Sequence, residues 1–420
     1  MRILITTQVF PPEIHISARI VLEMSKALCE AGHQVVVATG FPNHPHGEVF
    51  SGYRKRCLFR EEIDGVRVVR GWHVTSTSSL IFMRAIAYVS QALGTTVAAL
   101  FSVRPHLVIN FGPPLVGPYL SILLSKMFGA RSISVIYDLY PDVAIETGAV
   151  KNAAIIRMAK AVERLIYSGS DRIVVLSEGF RETLIGKGVD EEKIRIIPIW
   201  MDPSEIHRST DFGNWRARHD IGTDVFVALY AGTIGIVSGA DVMAEVAKKW
   251  SEDPSTLFLF VGQGKGKKTV EEKSAGYRNV RFLDFQPREV LSEMLSSADV
   301  GIMTILPGRG KTSVPSKVLG YMATEVPILA SCDLESDSAK MINNAQCGII
   351  VPPGDAEAIS NALRWMSANR EQCRTMGENG RRFLEQHHTK AIGTKAFVDI
   401  VREYFRPAQR IGEEEWRLKT

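Results

Sequence analysis

Cysteine is scarce and unpatterned. Cys29, Cys57, Cys332, Cys347 and Cys373 are scattered through 420 residues and odd in number. That excludes a disulfide framework and any cysteine-based metal spacing, and fits reduced thiols in the cytosol. An excess of charge of one sign is also missing. With 50 Lys and Arg against 46 Asp and Glu, the net charge of +4 is too mild for a dedicated nucleic-acid binder. No apolar run is clean enough for a membrane span. The best, Ser79 to Phe101, carries Arg84, Ser90, Gln91, Gly94, Thr95 and Thr96, several of which a spanning helix would place in hydrocarbon. It reads as a buried or interfacial helix. The opening residues, MRILITTQVF, lack the apolar core and cleavage site of a signal peptide and read as a strand. A cytoplasmic protein is expected.

A phosphate loop is missing too, although one stretch imitates its end. In ILPGRGKTSVPSK, Gly310-Lys311-Thr312 has the right ending, but Ile305 stands where the first glycine belongs. A β-branched residue resists that tight turn, and Pro315 would break the helix such a loop needs. The dinucleotide fingerprint is absent as well, since Gly232, Gly235 and Gly239 have the wrong spacing.

What is present is a repeat of short β-branched runs and longer amphipathic ones. RILITT, QVVVAT, HLVINF, RSISVIYD and RIVVLS alternate with helical patterns such as SARIVLEMSKALCEAG, which ends at Gly32. IPIWMDPSEIHRSTDFGNWRARHDIG interrupts the rhythm, and the repeat restarts at FVALYAG. The expected fold class is α/β, with two doubly wound Rossmann-like domains facing a cleft. The boundaries are residues 1–203 and 204–394. Ligands in such sheets lie outside the carboxyl ends of the strands, so the loops there carry the candidates.

After the first strand, Pro11 and Pro12 stiffen a turn, and a helix begins near Ser17 whose amides could meet an anion. After FVALY, the glycine-rich AGTIG allows close approach of a phosphate, whereas Gly262, Gly264 and Gly266 are read as turning the chain. In the P-loop imitation, Thr312 or Ser313 caps a helix with Pro315 in its first turn. Lys317 then lies on that first turn, and Arg309 and Lys311 flank it on the loop. Three cations at one helix start suit a diphosphate. Asp138 and Asp142 in YDLYPD end a strand; either they orient acceptor hydroxyls or they cap the next helix. His15, His44 and His46 have the same two readings, binding or structural. No carboxylate cluster has metal-like spacing, so no metal and no cofactor are expected.

The motifs together resemble glycosyltransferase family 4, the retaining nucleotide-sugar transferases of GT-B fold. The likeness runs through VFPPE, LCEAGHQVVVATGFPNHPHG, IYDLYPD, VVLSEGFRETLIGKGV, IRIIPIWMD, YAGTIG, FLFVGQG, VRFLDFQPREVLSEMLSSADVGIMTI and VPSKVLGYMATEVPILAS. FPNHPHGEVFSGY and VPSKVLGYMA are closest to colanic-acid and O-antigen fucosyl or N-acetylfucosaminyl transferases. The resemblance implies donor contacts at His15, Gly232, Thr233, Gly235, Phe285 and Gln286, and further ones at Arg309, Lys311, Ser316, Lys317 and Glu325. It implies acceptor contacts at His44, Asp138 and Asp142, and catalytic roles for Asp138 and Lys317. It also implies a final helix, about 395–420, that crosses back to the first domain.

The chain departs from the family pattern in several places. His15-Ile16 replaces a glycine pair, and Thr233 and Ser238 stand where Arg and Lys are usual. Gly320 occupies the place of the ribose-binding glutamate, Glu325 that of a glycine, and Tyr137 that of a histidine. The implied reaction moves a sugar from a UDP- or GDP-linked donor to a polyprenyl-diphosphate-linked acceptor in surface polysaccharide assembly. A membrane-surface partner follows, on the inner face of the plasma membrane. The apolar run Ser79 to Phe101 and the basic Arg54, Lys55, Arg56 and Arg60 suit it, although Glu61, Glu62 and Asp64 offset the cluster. A nucleotide-sugar 2-epimerase and a non-catalytic scaffold subunit are the alternatives.

Overall fold

The computed structural model describes residues 1–44, 47–53, 56–76, 81–112, 114–310 and 316–404. Two sheets carry the chain. The first is built of β1 (Arg2–Thr6), β2 (Gln34–Gly40), β3 (Leu58–Ile63), β4 (Val66–Gly71), β5 (Leu107–Gly112), β6 (Arg131–Ile136), β7 (Arg172–Val175) and β8 (Ile194–Ile196). Its order is β3-β4-β2-β1-β5-β6-β7-β8. The second contains β9 (Phe226–Ala231), β10 (Thr256–Val261), β11 (Val280–Leu283), β12 (Val300–Thr304), β13 (Ile328–Ser331) and β14 (Gly348–Val351), in the order β11-β10-β9-β12-β13-β14. All strand pairs are parallel except β3–β4. That antiparallel hairpin escaped the sequence reading, although Asp64-Gly65 is a strong turn signal; both residues have positive φ, 48° and 81°.

The first sheet is followed or interleaved by α1 (Ile16–Glu30), α2 (Ile81–Leu100), α3 (Val116–Phe128), α4 (Asp142–Glu146), α5 (Ala153–Gly169) and α6 (Glu178–Gly186). Beyond it come α7 (Phe212–Arg218), α8 (Val242–Lys249), α9 (Lys267–Lys273), α10 (Leu291–Ser296), α11 (Lys317–Ala323), α12 (Asp337–Ala345), α13 (Ala356–Ala368), α14 (Arg370–His387) and α15 (Lys390–Glu403). The interrupting stretch after β8 holds α7 but no strand of either sheet.

The strand order reverses direction in each sheet at one point: between β1 and β5 in the first, between β9 and β12 in the second. There the flanking loops part to opposite faces and leave a crevice at the carboxyl ends.

One apolar core cluster includes residues of both sheets and of the crossing α15. Trp200 is its pivot. Its ring packs edge-on against Phe397 of α15 with centroids 6.0 Å apart, and its Nε1 donates to Glu23 Oε2 at 2.7 Å. Gly393 lets α15 come this close, since a Cβ there would lie 2.1 Å from the Trp200 ring. α15 also packs along α1, and Phe397 meets Phe111 of β5.

Candidate functional site

The second sheet's switch point gathers the cationic candidate. α11 is pinned to the sheet by Tyr321, whose buried hydroxyl donates to Leu229 O at 2.9 Å and accepts from Ala231 N at 3.0 Å. Gly301 in β12 makes room for that ring; a Cβ would sit 2.4 Å from it. Lys317 is one helical turn earlier and so shares Tyr321's face. Its Nζ lies 3.5 Å from the centre of the Tyr230 ring on β9. Among the described residues no carboxylate pairs with Lys317, so the charge is held by a π-face alone and stays available to an anion. Ser316 stands at the N-cap position but makes no side-chain capping bond. Lys311, Thr312, Ser313 and Pro315 lie outside the described residues.

The loop after β9 is shaped by the loop after β10. Gly232 (φ 111°) donates its amide to Val261 O at 2.8 Å, and Ile234 N bonds Gln263 O at 3.0 Å. Gly262 and Gly264, at φ 145° and 151°, let the backbones touch: a Cβ at either would lie 2.0 Å from Gly232 O or 2.3 Å from Ile234 O. The second glycine set, read from sequence as mere turning residues, therefore holds the first in place. Thr233 is exposed at the tip, and Gly235 opens a single 3-10 turn, Ile236–Ser238. Phe285, 52% exposed, and Gln286 follow the carboxyl end of β11, where the Gln286 amide donates to Asp284 O at 3.0 Å. An exposed ring at a strand's carboxyl end can stack on a flat base.

Other candidates separate from this group. Glu325 lies past the far end of α11, in left-handed conformation (φ 57°), and faces Arg208 at 3.8 Å. The whole of α11, seven residues at about 1.5 Å each, runs between Lys317 at its start and Glu325 beyond its end. Gly320 is buried, with Leu295 in contact range of any added Cβ at 3.3 Å, so nothing from that position reaches the crevice. Arg309, on the loop after β12, crosses to the first domain and pairs with Glu146 of α4 at 3.3 Å. Asp337 of α12 crosses likewise, accepting from Ser177 Oγ at 2.6 Å and Gly179 N at 3.1 Å. These bridges show that the carboxyl edges of the two sheets face one another.

On the first domain, β1 leads into a loop tied down by Glu13, which sequence reading did not single out. Its buried carboxylate accepts from Phe10 N at 3.1 Å and from Asn43 N and His44 N, both at 3.0 Å. A lone Glu after two prolines carries no local sign of this; the three amides come from two separate loops. Arg70, fully buried, reinforces the arrangement by donating to Gly40 O at 3.1 Å and to Pro11 O. His15 is the N-cap of α1: its Nδ1 accepts from Ser17 N at 3.1 Å, and its ring meets His44 edge-on at 5.4 Å. The residue keeps an exposed edge while neighbouring atoms crowd the ring. That desolvation, with the charge of His44, lowers its pKa to about 4. His46 lies outside the described residues.

Asp138 follows β6 at its carboxyl end, and burial pushes its carboxyl up to about 6. Among the described residues nothing hydrogen-bonds that carboxylate; Tyr140 beside it feels its charge. Tyr137 is turned away and packs edge-on against Phe111 at 5.6 Å. Asp142 sits in the first turn of α4 and pairs with Lys187 at 2.6 Å, where Lys187 also meets Glu163. A recess of about 210 Å³ opens beside the β1 loop, lined among others by Gln8, His44, His73, Arg84 and Tyr88.

Spacing along the chain did not reveal one carboxylate cluster. Glu23, Asp202 and Glu205 converge within 4.8 Å near the inter-domain connection. Each is already answered by a cation: Arg19 meets Glu23 and Glu205, Arg288 meets Glu205, and Lys390 meets Asp202 at 3.1 Å. Such a balanced set is a charge lock between domains rather than a vacant ligand set.

Two family models match successive parts of the chain. Residues 17–200 match the model described as glycosyl transferase 4-like domain, and residues 211–383 the one described as glycosyl transferases group 1. The chain is 23% identical over 351 residues to a probable glycosyltransferase, WbjE, of Pseudomonas aeruginosa, covering 78% of this chain and 82% of that one. It is 22% identical over 300 residues to O-antigen chain mannosyltransferase C of Escherichia coli, covering 70% and 74%. Among solved structures, sucrose-phosphate synthase from Thermosynechococcus elongatus superposes with a TM-score of 0.72 at 17% identity, over 96% of this chain and 99% of that one. Anabaena HepE in complex with UDP and glucose gives 0.69 at 12% identity, over 96% and 99%. The fold is GT-B.

Proposed function

On the premise of these two glycosyltransferase domains in a GT-B fold, we propose that the chain is a retaining glycosyltransferase. It moves a sugar from a UDP- or GDP-linked donor to a lipid-linked saccharide in surface polysaccharide assembly, on the inner face of the plasma membrane. The observation that carries the reading is Lys317: a cation with no carboxylate partner among the described residues, at the start of α11, beside the glycine-rich loop of the second sheet's switch point. Two relatives support the substrate classes: HepE is seen with UDP and glucose, and one curated relative is an O-antigen chain mannosyltransferase. The fucosyl or N-acetylfucosaminyl type remains part of this proposal, resting on VPSKVLGYMA and FPNHPHGEVFSGY.

In the proposed reaction the bond between the anomeric carbon and the donor's phosphate oxygen breaks, leaving the nucleoside diphosphate. The acceptor oxygen bonds the same carbon from the same face, and its proton passes to the departing phosphate oxygen. Charge grows on the diphosphate, so a preorganised cation and backbone amides lower the barrier without added reorganisation. Lys317, with Arg309, Lys311 and Ser316, meets that charge; Gly232, Thr233 and Gly235 offer backbone contacts, and His15 is assigned a donor contact from the first domain. Phe285 and Gln286 serve the base, whereas Glu325, past the far end of α11 and facing Arg208, is given no donor contact. Asp138 orients the acceptor hydroxyl, with His44 and Asp142 holding other parts of the acceptor.

The test is a panel of UDP- and GDP-sugars offered with polyprenyl-diphosphate-linked saccharides, with the anomeric configuration read by NMR. A retained configuration and transfer dependent on one donor support the proposal. A new sugar isomer formed from donor alone would make the protein an epimerase. No donor binding by calorimetry would make it a scaffold.

A further inference from the structure

One face of the first domain is apolar where a water-exposed face should be polar. α2, α3 and α5 lie side by side on one side of the sheet, α2 over β2 and β4, α3 over β5, α5 against α3 and β6. More than half of the large apolar side chains exposed among the described residues sit on these three helices. On α2, Phe82, Ile86, Val89, Leu93, Val97 and Leu100 fall at intervals of three and four and form a single outward stripe. Phe82 is 73% and Leu93 53% exposed. Met127 of α3 at 60% and Met158 of α5 at 63% extend the face sideways. An apolar area spread over three neighbouring helices is more than scattered exposure and marks an interaction surface.

Its charges say what it meets. The exposed charged groups on these helices are Lys126, Arg157, Lys160 and Arg164, all cationic. None has an ion-pair partner among the described residues. The single carboxylate in the three helices, Glu163, is buried against Lys187. Large apolar side chains with unpaired cations and no exposed carboxylate match an anionic lipid surface: the apolar groups enter the headgroup boundary and the cations meet phosphate. No helix among the described residues is long and apolar enough to cross a membrane, so the contact is lateral.

We propose that the α2–α3–α5 face docks the protein on an anionic lipid bilayer. The stripe on α2 begins beside the cleft, because Arg84 and Tyr88 of its first turns line the recess by the β1 loop. Docking through this face brings that recess to the bilayer surface. The inference rests on the proposed function for its purpose, delivering a lipid-linked acceptor, but not for its measurement.

The experiment is co-sedimentation with vesicles of phosphatidylglycerol and phosphatidylcholine, against phosphatidylcholine alone, at low and moderate salt. The wild type binds the anionic vesicles, and salt weakens the binding. The double variant Leu93→Ser/Met158→Ser, and separately Arg157→Glu/Lys160→Glu/Arg164→Glu, each lose at least about tenfold in partitioning. Both variants keep the wild-type circular-dichroism spectrum and melting temperature, which shows that they are folded. Lys317→Ala binds vesicles like the wild type, so failure of the transferase reading leaves the docking result standing. Equal binding by wild type and face variants, or none by the wild type, overturns the proposal. So does a dimer in analytical ultracentrifugation that Leu93→Ser/Met158→Ser dissociates, which would make the face a contact between two copies of the chain.

Discussion

Lys317 Nζ stands 3.5 Å above the centre of the Tyr230 ring, a contact between the first residue of α11 and the strand β9. Tyr321 fixes the geometry from one turn further along, through its bonds to Leu229 O and Ala231 N. The cation is thus positioned by packing before any ligand arrives, which is the condition for electrostatic catalysis. Lys317→Ala is expected to lose about 2–4 kcal/mol of transition-state stabilisation. The check is kcat/KM with a melting curve alongside; full activity in a folded variant would remove Lys317 from the reaction.

Asp138 supplies a pH signature. With its carboxyl at about 6, the ionised form is reached only above that pH. The folded state holds the proton more tightly than the unfolded one, so this group subtracts stability as pH rises from the ordinary carboxylate range to about 6. Activity that needs the carboxylate should show an acid limb in kcat/KM near pH 6. In Asp138→Asn that limb should vanish along with most of the rate. An unchanged profile would assign the limb elsewhere.

His15 acts in the opposite sense. Its pKa falls from 6.5 to about 4, so between those values the unfolded state binds more protons and stability rises with pH. His15→Asn keeps an N-cap acceptor but removes the titration. Urea denaturation at about pH 5 and about pH 7 should show a smaller loss on acidification in the variant.

Gly264→Ala tests the loop-on-loop contact. The new Cβ would meet Ile234 O at 2.3 Å in a backbone region closed to L side chains. A destabilisation of about 1–3 kcal/mol is expected, with weaker donor binding because the Gly232–Gly235 loop shifts. Thermal melting and calorimetry read the two effects separately; normal donor affinity in a destabilised variant would divorce the loops.

Metal removal should leave turnover unchanged. The one carboxylate cluster among the described residues, Glu23 with Asp202 and Glu205, is already balanced by Arg19, Arg288 and Lys390. Loss of activity in chelator, restored by magnesium, would show that a divalent ion takes part.

The sequence by itself determined the βα repeat and most strands, because β-branched runs and helical periodicity are local properties of a few consecutive residues. It also marked the strand-end loops and Lys317, since a helix start beside a glycine-rich turn is a local pattern. The tertiary structure alone decided which loops meet. Glu13 gathers amides from two loops, Gly264 lies against Ile234, and Arg309 reaches Glu146 across the domains; none of these pairs is implied by spacing. α2 shows why most plainly. Its apolar residues lie on all sides, so periodicity cannot choose a buried face. The choice fell to size: Gly71 and Gly94 let β4 and α2 touch, with a Cβ at Gly71 only 1.9 Å from Gly94 O. The small Ala92, Ala98 and Ala99 therefore face inward, and the large Phe82, Val89 and Leu93 are left outside.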